Sequence, residues 1–230
     1  MLIQQVRDPE TDSYTYIVAD LEAQEALIID PVITQYDQYV SFLDSHDLAL
    51  LYSIETHVHA DHVTAASALK KRFGAQLAIG QHAPVTCADI MLKDGDSLHF
   101  GAQRLKTIET PGHTAESCCY MIENKDKTMV FTGDTLLIGG TGRTDFQNGD
   151  PEAQYYSLTK KLLVLPDDTI VYPGHDYKGR TSSTIGAEKI HNPRLQVSNV
   201  QDYVALMNGL NLPNPKNLDV AVPSNLRCGQ

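Results

Sequence analysis

Thr56-His57-Val58-His59-Ala60-Asp61-His62 sets three imidazoles and a carboxylate within six residues. His57 and His59 are two apart, so on an extended segment they face the same way. Asp61 and His62 follow at the start of the next predicted helix and approach from another direction. Imidazole suits zinc, iron and other first-row ions, and a carboxylate among imidazoles favours a hard or borderline ion. Any one of these residues alone would be explained as a surface or core histidine. Four of them, at the junction of an apolar strand and a helix, point to metal ligation by one ion or by a pair.

Three further positions repeat one local form, an apolar strand that ends in glycine and a ligand-type residue. His113 lies in Pro111-Gly112-His113-Thr114. Asp134 lies in Thr132-Gly133-Asp134-Thr135, after Met129–Phe131. His175 lies in Pro173-Gly174-His175-Asp176, after Ile170–Tyr172. Each residue alone reads as a turn or cap residue. Their repetition beside the cluster makes them candidate ligands, gathered at strand ends as functional groups of sheet proteins are. Among the nine histidines, His99 is a weaker strand-end candidate.

The elements that must position these residues follow from periodicity. Tyr14–Ala19 and Ala26–Ile29 read as a hairpin, and Leu48–Glu55 as a buried strand leading into the cluster. Tyr36–Ser45 and Val63–Arg72 have helical spacing, the second stopped by Gly74. Gln76–Ile79 is a short strand. Leu98–Phe100 pairs with Gln103–Glu109, and Cys118–Glu123 with Thr128–Phe131 across Asn124–Lys127. Ala153–Leu163 is a helix opened by Asp150-Pro151-Glu152. Thr169–Tyr172 is a strand, a helix falls within Val197–Met207, and Asn211–Gln230 reads as irregular. No linker marks a boundary, so residues 1–230 form one domain.

Composition narrows the function classes. Eighteen Lys and Arg against twenty-nine Asp and Glu leave a net charge of −11, and no basic stripe exists to neutralise phosphates, which argues against a nucleic-acid partner. No apolar run is long enough to cross a bilayer. Met1–Asp12 lacks a basic segment followed by an apolar one, so a cytoplasmic location is expected. Cys87, Cys118, Cys119 and Cys228 show no metal or disulfide spacing and read as small buried hydrophobes in a reduced compartment. Cys118 and Cys119 are strand neighbours and should point to opposite faces.

The ordered set His57, His59, Asp61, His62, His113, Asp134 and His175 resembles the motif of the metallo-β-lactamase superfamily. That resemblance implies an α+β fold, a four-layer αββα sandwich with the metal site at one edge between two sheets. Gly142-Arg143-Thr144-Asp145-Phe146-Gln147, Tyr172-Pro173-Gly174-His175-Asp176-Tyr177, Asn192-Pro193-Arg194-Leu195 and Ala221–Cys228 resemble the persulfide dioxygenase branch, which is related to the glyoxalase II thioesterases. Members oxidise glutathione persulfide with O2 to sulfite and glutathione, using one ferrous ion. The resemblance implies His57, His113 and Asp134 as iron ligands. It makes His59, Asp61, His62 and His175 outer partners, or ligands of a second ion as in hydrolytic relatives. Two histidines and one carboxylate leave positions open for O2 and sulfur, and zinc lacks the redox change this chemistry needs.

Further roles follow from the same resemblance. Tyr177 and Asp61 are candidate catalytic residues. Arg143 and Tyr177 are candidate substrate contacts, Arg143 pairing either with a glutathione carboxylate or with Asp145. Asp176 either orients a ligand or caps its turn. Cys228 matches a family cysteine, but Thr141 stands where several members carry another, which argues against a regulatory pair of these two. The alternative activity is a glyoxalase II-type thioesterase with two Zn, Fe or Mn ions bridged by Asp134. Its basic C-terminal residues are missing, since Asn208–Gln230 offers only Lys216 and Arg227. A third reading is a metal- or persulfide-binding sensor. A monomer and a homodimer both fit the acidic surface.

Overall fold

The computed structural model describes residues 1–124, 127–215 and 217–230. Lys125, Asp126 and Lys216, on which the Asn124–Lys127 turn and part of the tail argument fall, lie outside the described residues.

Two six-stranded sheets stack face to face. The first runs in sequence order: β1 (Leu2–Arg7), β2 (Tyr14–Asp20), β3 (Glu25–Ile29), β4 (Ala49–Ile54), β5 (Gln76–Gly80) and β6 (Ile90–Leu92). Its first three strands are antiparallel and β3 to β6 are parallel. The second sheet holds β7 (Ser97–Phe100), β8 (Gln103–Glu109), β9 (Cys118–Glu123), β10 (Thr128–Gly133), β11 (Ile170–Pro173) and β12 (Ser183–Thr184), with β10 and β11 parallel.

Alternation along the strands makes the layers. On β2, Tyr16 and Val18 point between the sheets, with Leu27 and Ile54 of the first sheet and Phe100, Tyr120 and Phe131 of the second. The intervening Ile17 and Ala19 face the opposite way, onto Tyr39 and Leu43 of α1 (Tyr36–Ser45) and Leu69 of α2 (Ala66–Phe73). The second sheet's outer face packs Val130 and Val171 against Leu158, Leu162, Tyr203 and Met207. Leu158 and Leu162 belong to Ser157–Leu162, the π-helical extension of α3 (Pro151–Tyr156), and Tyr203 and Met207 to α5 (Val200–Asn208). The result is the expected αββα sandwich. Both faces of β2 are buried, so the strand reads as continuously apolar rather than alternating. Cys118 and Cys119 face opposite layers, as expected.

Local signals account for most element ends. Asp150 accepts hydrogen bonds from the Glu152 and Ala153 amides, with Pro151 in the first turn. Gly74 closes α2 at φ +75°, which costs a glycine little. Helix α2 starts at Ala66, three residues later than its periodicity predicts. Thr64 bridges to Val32, and the Ala65 amide donates to the Pro31 carbonyl, so Val63–Ala65 are tied to the loop after β3 instead of joining the helix. The sequence reading misses β1, β6, β12 and α4 (Ile185–His191), and the short 3-10 turns Ile33–Gln35 and Pro193–Leu195.

The tail corrects two expectations. Asn211–Gln230 is not irregular throughout: Leu218–Asn225 forms α6, with Pro223 inside it. Proline removes a donor there, and the segment is held instead by tertiary hydrogen bonds from Asn225. Cys87 and Cys228 are not a reduced pair of small hydrophobes. They form a disulfide across 141 residues, with Cα atoms 6.0 Å apart. Cys118 and Cys119 remain free and buried. Among the described residues no helix is long and apolar enough to cross a membrane.

Candidate metal centre

Strand ends deliver the candidate ligands to one edge of the sandwich. His57 follows β4, His113 follows β8, Asp134 follows β10 and His175 follows β11. The loop carrying His57 is set by Asp30, at the end of β3. Its carboxylate accepts the Thr56 amide at 2.7 Å and the Thr56 hydroxyl at 2.8 Å. Glu116 accepts the Val58 amide at 3.0 Å. Asn225 donates to the carbonyls of His59 and His62, at 2.9 and 2.8 Å, and accepts the Thr64 amide. The C-terminal helix is thus a clamp on the cluster.

One donor atom each from His57, His113 and Asp134 lie within 4.8 Å of one another. The outer partners fix which nitrogens are offered. His57 Nδ1 is 2.9 Å from the Thr56 hydroxyl, whose proton is committed to Asp30, so Nδ1 donates and Nε2 keeps its lone pair. His113 Nδ1 is 2.7 Å from the Arg143 carbonyl, which only accepts, so here too Nε2 is free. Burial, then the neighbouring His59 and His113, hold His57 well below its ordinary pKa and keep it neutral, as a ligand must be. Burial works against the charge of Asp134. His175, His113 and His57 outweigh it and hold the carboxyl well below the usual range.

The remaining cluster residues form a second layer and a second donor group. His175 donates through Nδ1 to Asp134 Oδ1 at 2.7 Å, and its Nε2 lies 3.0 Å from Asp61 Oδ2. Against the effect of burial, Asp134 and Asp61 hold His175 well above its ordinary pKa. His59, Asp61 and His62 also converge within 4.8 Å, as do Asp30, Glu55 and His59. His59 Nε2 is 3.0 Å from Asp30 Oδ1 and 3.3 Å from Glu55 Oε2. Neither contact has hydrogen-bond geometry. Glu55 Oε2, both His59 nitrogens and His62 Nε2 are buried without a hydrogen-bonding partner among the described residues. Buried polar atoms are rarely left so, and their concentration at an edge rich in imidazole and carboxylate fits a site built around a cation.

Three expectations for substrate residues meet a specific placement. Tyr177 is 71% exposed, with its ring stacked on His175 at 5.9 Å. Arg143 is engaged by Asp145 through two hydrogen bonds of 2.6 and 2.7 Å, by the Pro213 and Leu212 carbonyls, and by the Phe146 ring. It serves the centre through its backbone carbonyl on His113. Asp176 caps its own turn, accepting from the Lys178 and Arg180 amides and the Arg180 guanidinium. His99 is exposed within β7, opposite Arg104, and does not join the site.

Four contributors escaped the sequence reading: Ser13, Asp30, Asn225 and Arg194. Asp30 follows the apolar Ala26–Ile29 in the same strand-then-acid form as Asp134, so a signal was present. Arg194 is half-buried, and among the described residues its guanidinium hydrogen-bonds only the carbonyl and hydroxyl of Thr141. It lies within electrostatic reach of Tyr177.

Residues 8–175 match the sequence model of the metallo-beta-lactamase superfamily. With the two sheets, their outer helices and the histidine–aspartate edge, the chain belongs to that superfamily. Its likeness to one branch is much stronger. It is 42% identical over all 230 residues to the mitochondrial persulfide dioxygenase ETHE1 of Homo sapiens, covering 89% of that protein. It superposes on the crystal structure of ETHE1 from Myxococcus xanthus with a TM-score of 0.96 and 43% identity over the whole of both chains. A di-iron-bound form of TTHA1623 is more distant, with a TM-score of 0.67 and 26% identity over 83% of this chain and 98% of that one. The resemblance read from the motifs, to the persulfide dioxygenase branch, is borne out by these identities.

Proposed function

We propose that the chain is an iron-dependent persulfide dioxygenase, converting glutathione persulfide, O2 and water to glutathione and sulfite. The observation that carries this reading is the donor set of His57, His113 and Asp134, in a chain 42% identical end to end to a persulfide dioxygenase. Two imidazoles and one carboxylate on one side of a ferrous ion leave other positions open, and iron supplies the redox steps that O2 chemistry requires. The chain's own part is to turn Nε2 of His57 and of His113 toward the site, through Thr56 and the Arg143 carbonyl. It also keeps Asp134 charged through His175.

Substrate anchoring falls to Arg194 rather than Arg143. The Arg143 guanidinium is saturated by Asp145 and two carbonyls. Arg194 has no carboxylate partner among the described residues, and the Thr141 it binds adjoins Gly142, which packs on His113. A guanidinium so placed is free to take a glutathione carboxylate, with the exposed Tyr177 ring bordering the same mouth. Arg194→Met is expected to raise KM for the persulfide about tenfold or more with little change in kcat, because a hydrogen bond to a charged group contributes about 1.5–3 kcal/mol. Arg143→Met is expected to lower thermal stability instead. Steady-state kinetics and melting curves of the two proteins, with the effects exchanged, would reverse the assignment.

The gathering of His59, Asp61, His62 and His175 beside the first donor group is the observation that favours a two-ion thioesterase. One experiment separates the activities. Anaerobically purified, iron-loaded protein is given glutathione persulfide in an oxygen electrode, with metal counted on the same sample. Uptake of O2 with sulfite formed, at about one iron per chain, is the expected result. No uptake, with a glutathione thioester hydrolysed, would move the protein to the hydrolases.

A further inference from the structure

We propose that the hydroxyl of Ser13 occupies the place of a second ion among Asp61, His62 and His175, and so limits the centre to one metal. The inference rests on the single-ion reading above and assigns its cause to a serine hydroxyl outside the histidine–aspartate motif.

The geometry is specific. Ser13 Oγ lies 2.9 Å from Asp61 Oδ2, 3.2 Å from His62 Nδ1 and 2.9 Å from His175 Nε2, with the Thr11 hydroxyl behind it at 2.7 Å. Those three side chains arrive from two separate segments and converge on this one oxygen. One proton and two lone pairs on Ser13 Oγ are thus shared among Asp61, the two imidazoles and the Thr11 hydroxyl. First-row ions sit about 2.0–2.2 Å from nitrogen and oxygen ligands, so an ion cannot share that space with a hydroxyl already at contact distance from the same donors. The hydroxyl also keeps the donors occupied with one another. His175 bonds Asp134 through one nitrogen and faces Asp61 and Ser13 with the other. Asp61 Oδ2 is shared between Ser13, His62 and His175.

Ser13 cannot easily withdraw. Its backbone forms a bridge with His175, the Tyr14 amide donates to the Gly174 carbonyl at 2.7 Å, and the Asp8 amide donates to the Ser13 carbonyl at 2.9 Å. Asp8 in turn ties down Thr11, Thr34 and Gln35. The side chain is therefore delivered by main-chain contacts that do not depend on its hydroxyl. Removing the oxygen should open the space and leave the loop where it is.

The test titrates metal-free protein with Co2+, counting bound ions by elemental analysis and recording the visible and paramagnetic-resonance spectra. The expected result is about one ion per chain in the wild type and in Ser13→Thr, and about two, with spin coupling between them, in Ser13→Ala. Adding His175→Ala to Ser13→Ala should return the count to one. A folded Ser13→Ala protein that still takes a single ion would overturn the proposal, and so would a wild type that already takes two. Ser13→Gly, read in the same way, decides the matter should the alanine protein fail to fold. Oxygen uptake by the iron-loaded wild type, measured alongside, reports separately on the dioxygenase reading. Uptake with an unchanged count in Ser13→Ala sinks only the role of Ser13.

Discussion

Asp134→Asn is expected to lower persulfide-dependent O2 uptake by more than about a hundredfold, since loss of an outer partner alone typically costs 10–100-fold in metal affinity or activity. The substitution keeps size and shape, so its effect is chemical. Asp134 supplies the only carboxylate of the His57–His113–Asp134 group. Its charge survives burial at the edge of the sandwich because His175, His113 and His57 surround it. Asparagine offers an oxygen without that charge, leaving a cation only neutral donors. The amide can still accept from His175 Nδ1, and the main-chain bond from the Gly142 amide to the Asp134 carbonyl is untouched. Metal-free Asp134→Asn should therefore fold and show a near-UV circular dichroism spectrum like that of the wild type. Elemental analysis after iron loading should find the site largely empty. A full iron content with near-normal O2 uptake would remove Asp134 from the ligand set.

The parts of this centre that were legible in sequence share one physical property, local pattern. The His57–His62 cluster is dense enough to be read without a structure. His113, Asp134 and His175 repeat one strand-glycine-ligand form, and Tyr36–Ser45 has unbroken helical spacing and is a helix over that range. What was not legible depends on long-range contact. The Cys87–Cys228 disulfide spans 141 residues and leaves no spacing signal. Asn225 clamps the cluster from a segment whose proline and asparagine content masks its helix. Ser13 carries no sequence mark at all, since one serine in a polar loop is ordinary. Its position comes from the pairing of its backbone with His175. Arg143 was legible with two readings open, a glutathione carboxylate or Asp145 two residues away, and the structure has the ion pair with Asp145 formed.

Glycine 142 tests how tightly the two halves of the ligand set are held together. A Cβ added there would stand 2.2 Å from the Asp134 carbonyl oxygen, 2.8 Å from His113 Nδ1 and 2.9 Å from His113 Cγ. None of these is the loose end of a flexible chain. The carbonyl also accepts the Gly142 amide at 2.6 Å, and His113 Nδ1 is bonded to the next residue's carbonyl. Gly142→Ala must therefore push the Asp134 loop and the His113 ring apart. Forced overpacking costs about 1–3 kcal/mol, and a strained or broken hydrogen bond adds about 1 kcal/mol. Displacing reacting groups by about 1 Å can cost a further hundredfold in rate. The expected protein melts several degrees lower, binds iron more weakly and turns over about a hundredfold more slowly. Gly140→Ala is the control, because a Cβ at Gly140 meets nothing within 4 Å. If both alanine proteins bind iron and consume O2 like the wild type, close approach at Gly142 does not set the geometry of the centre. A defect confined to Gly142→Ala would show that the backbone contact between these two loops, two residues from an indifferent glycine, keeps His113 and Asp134 in register for one ion.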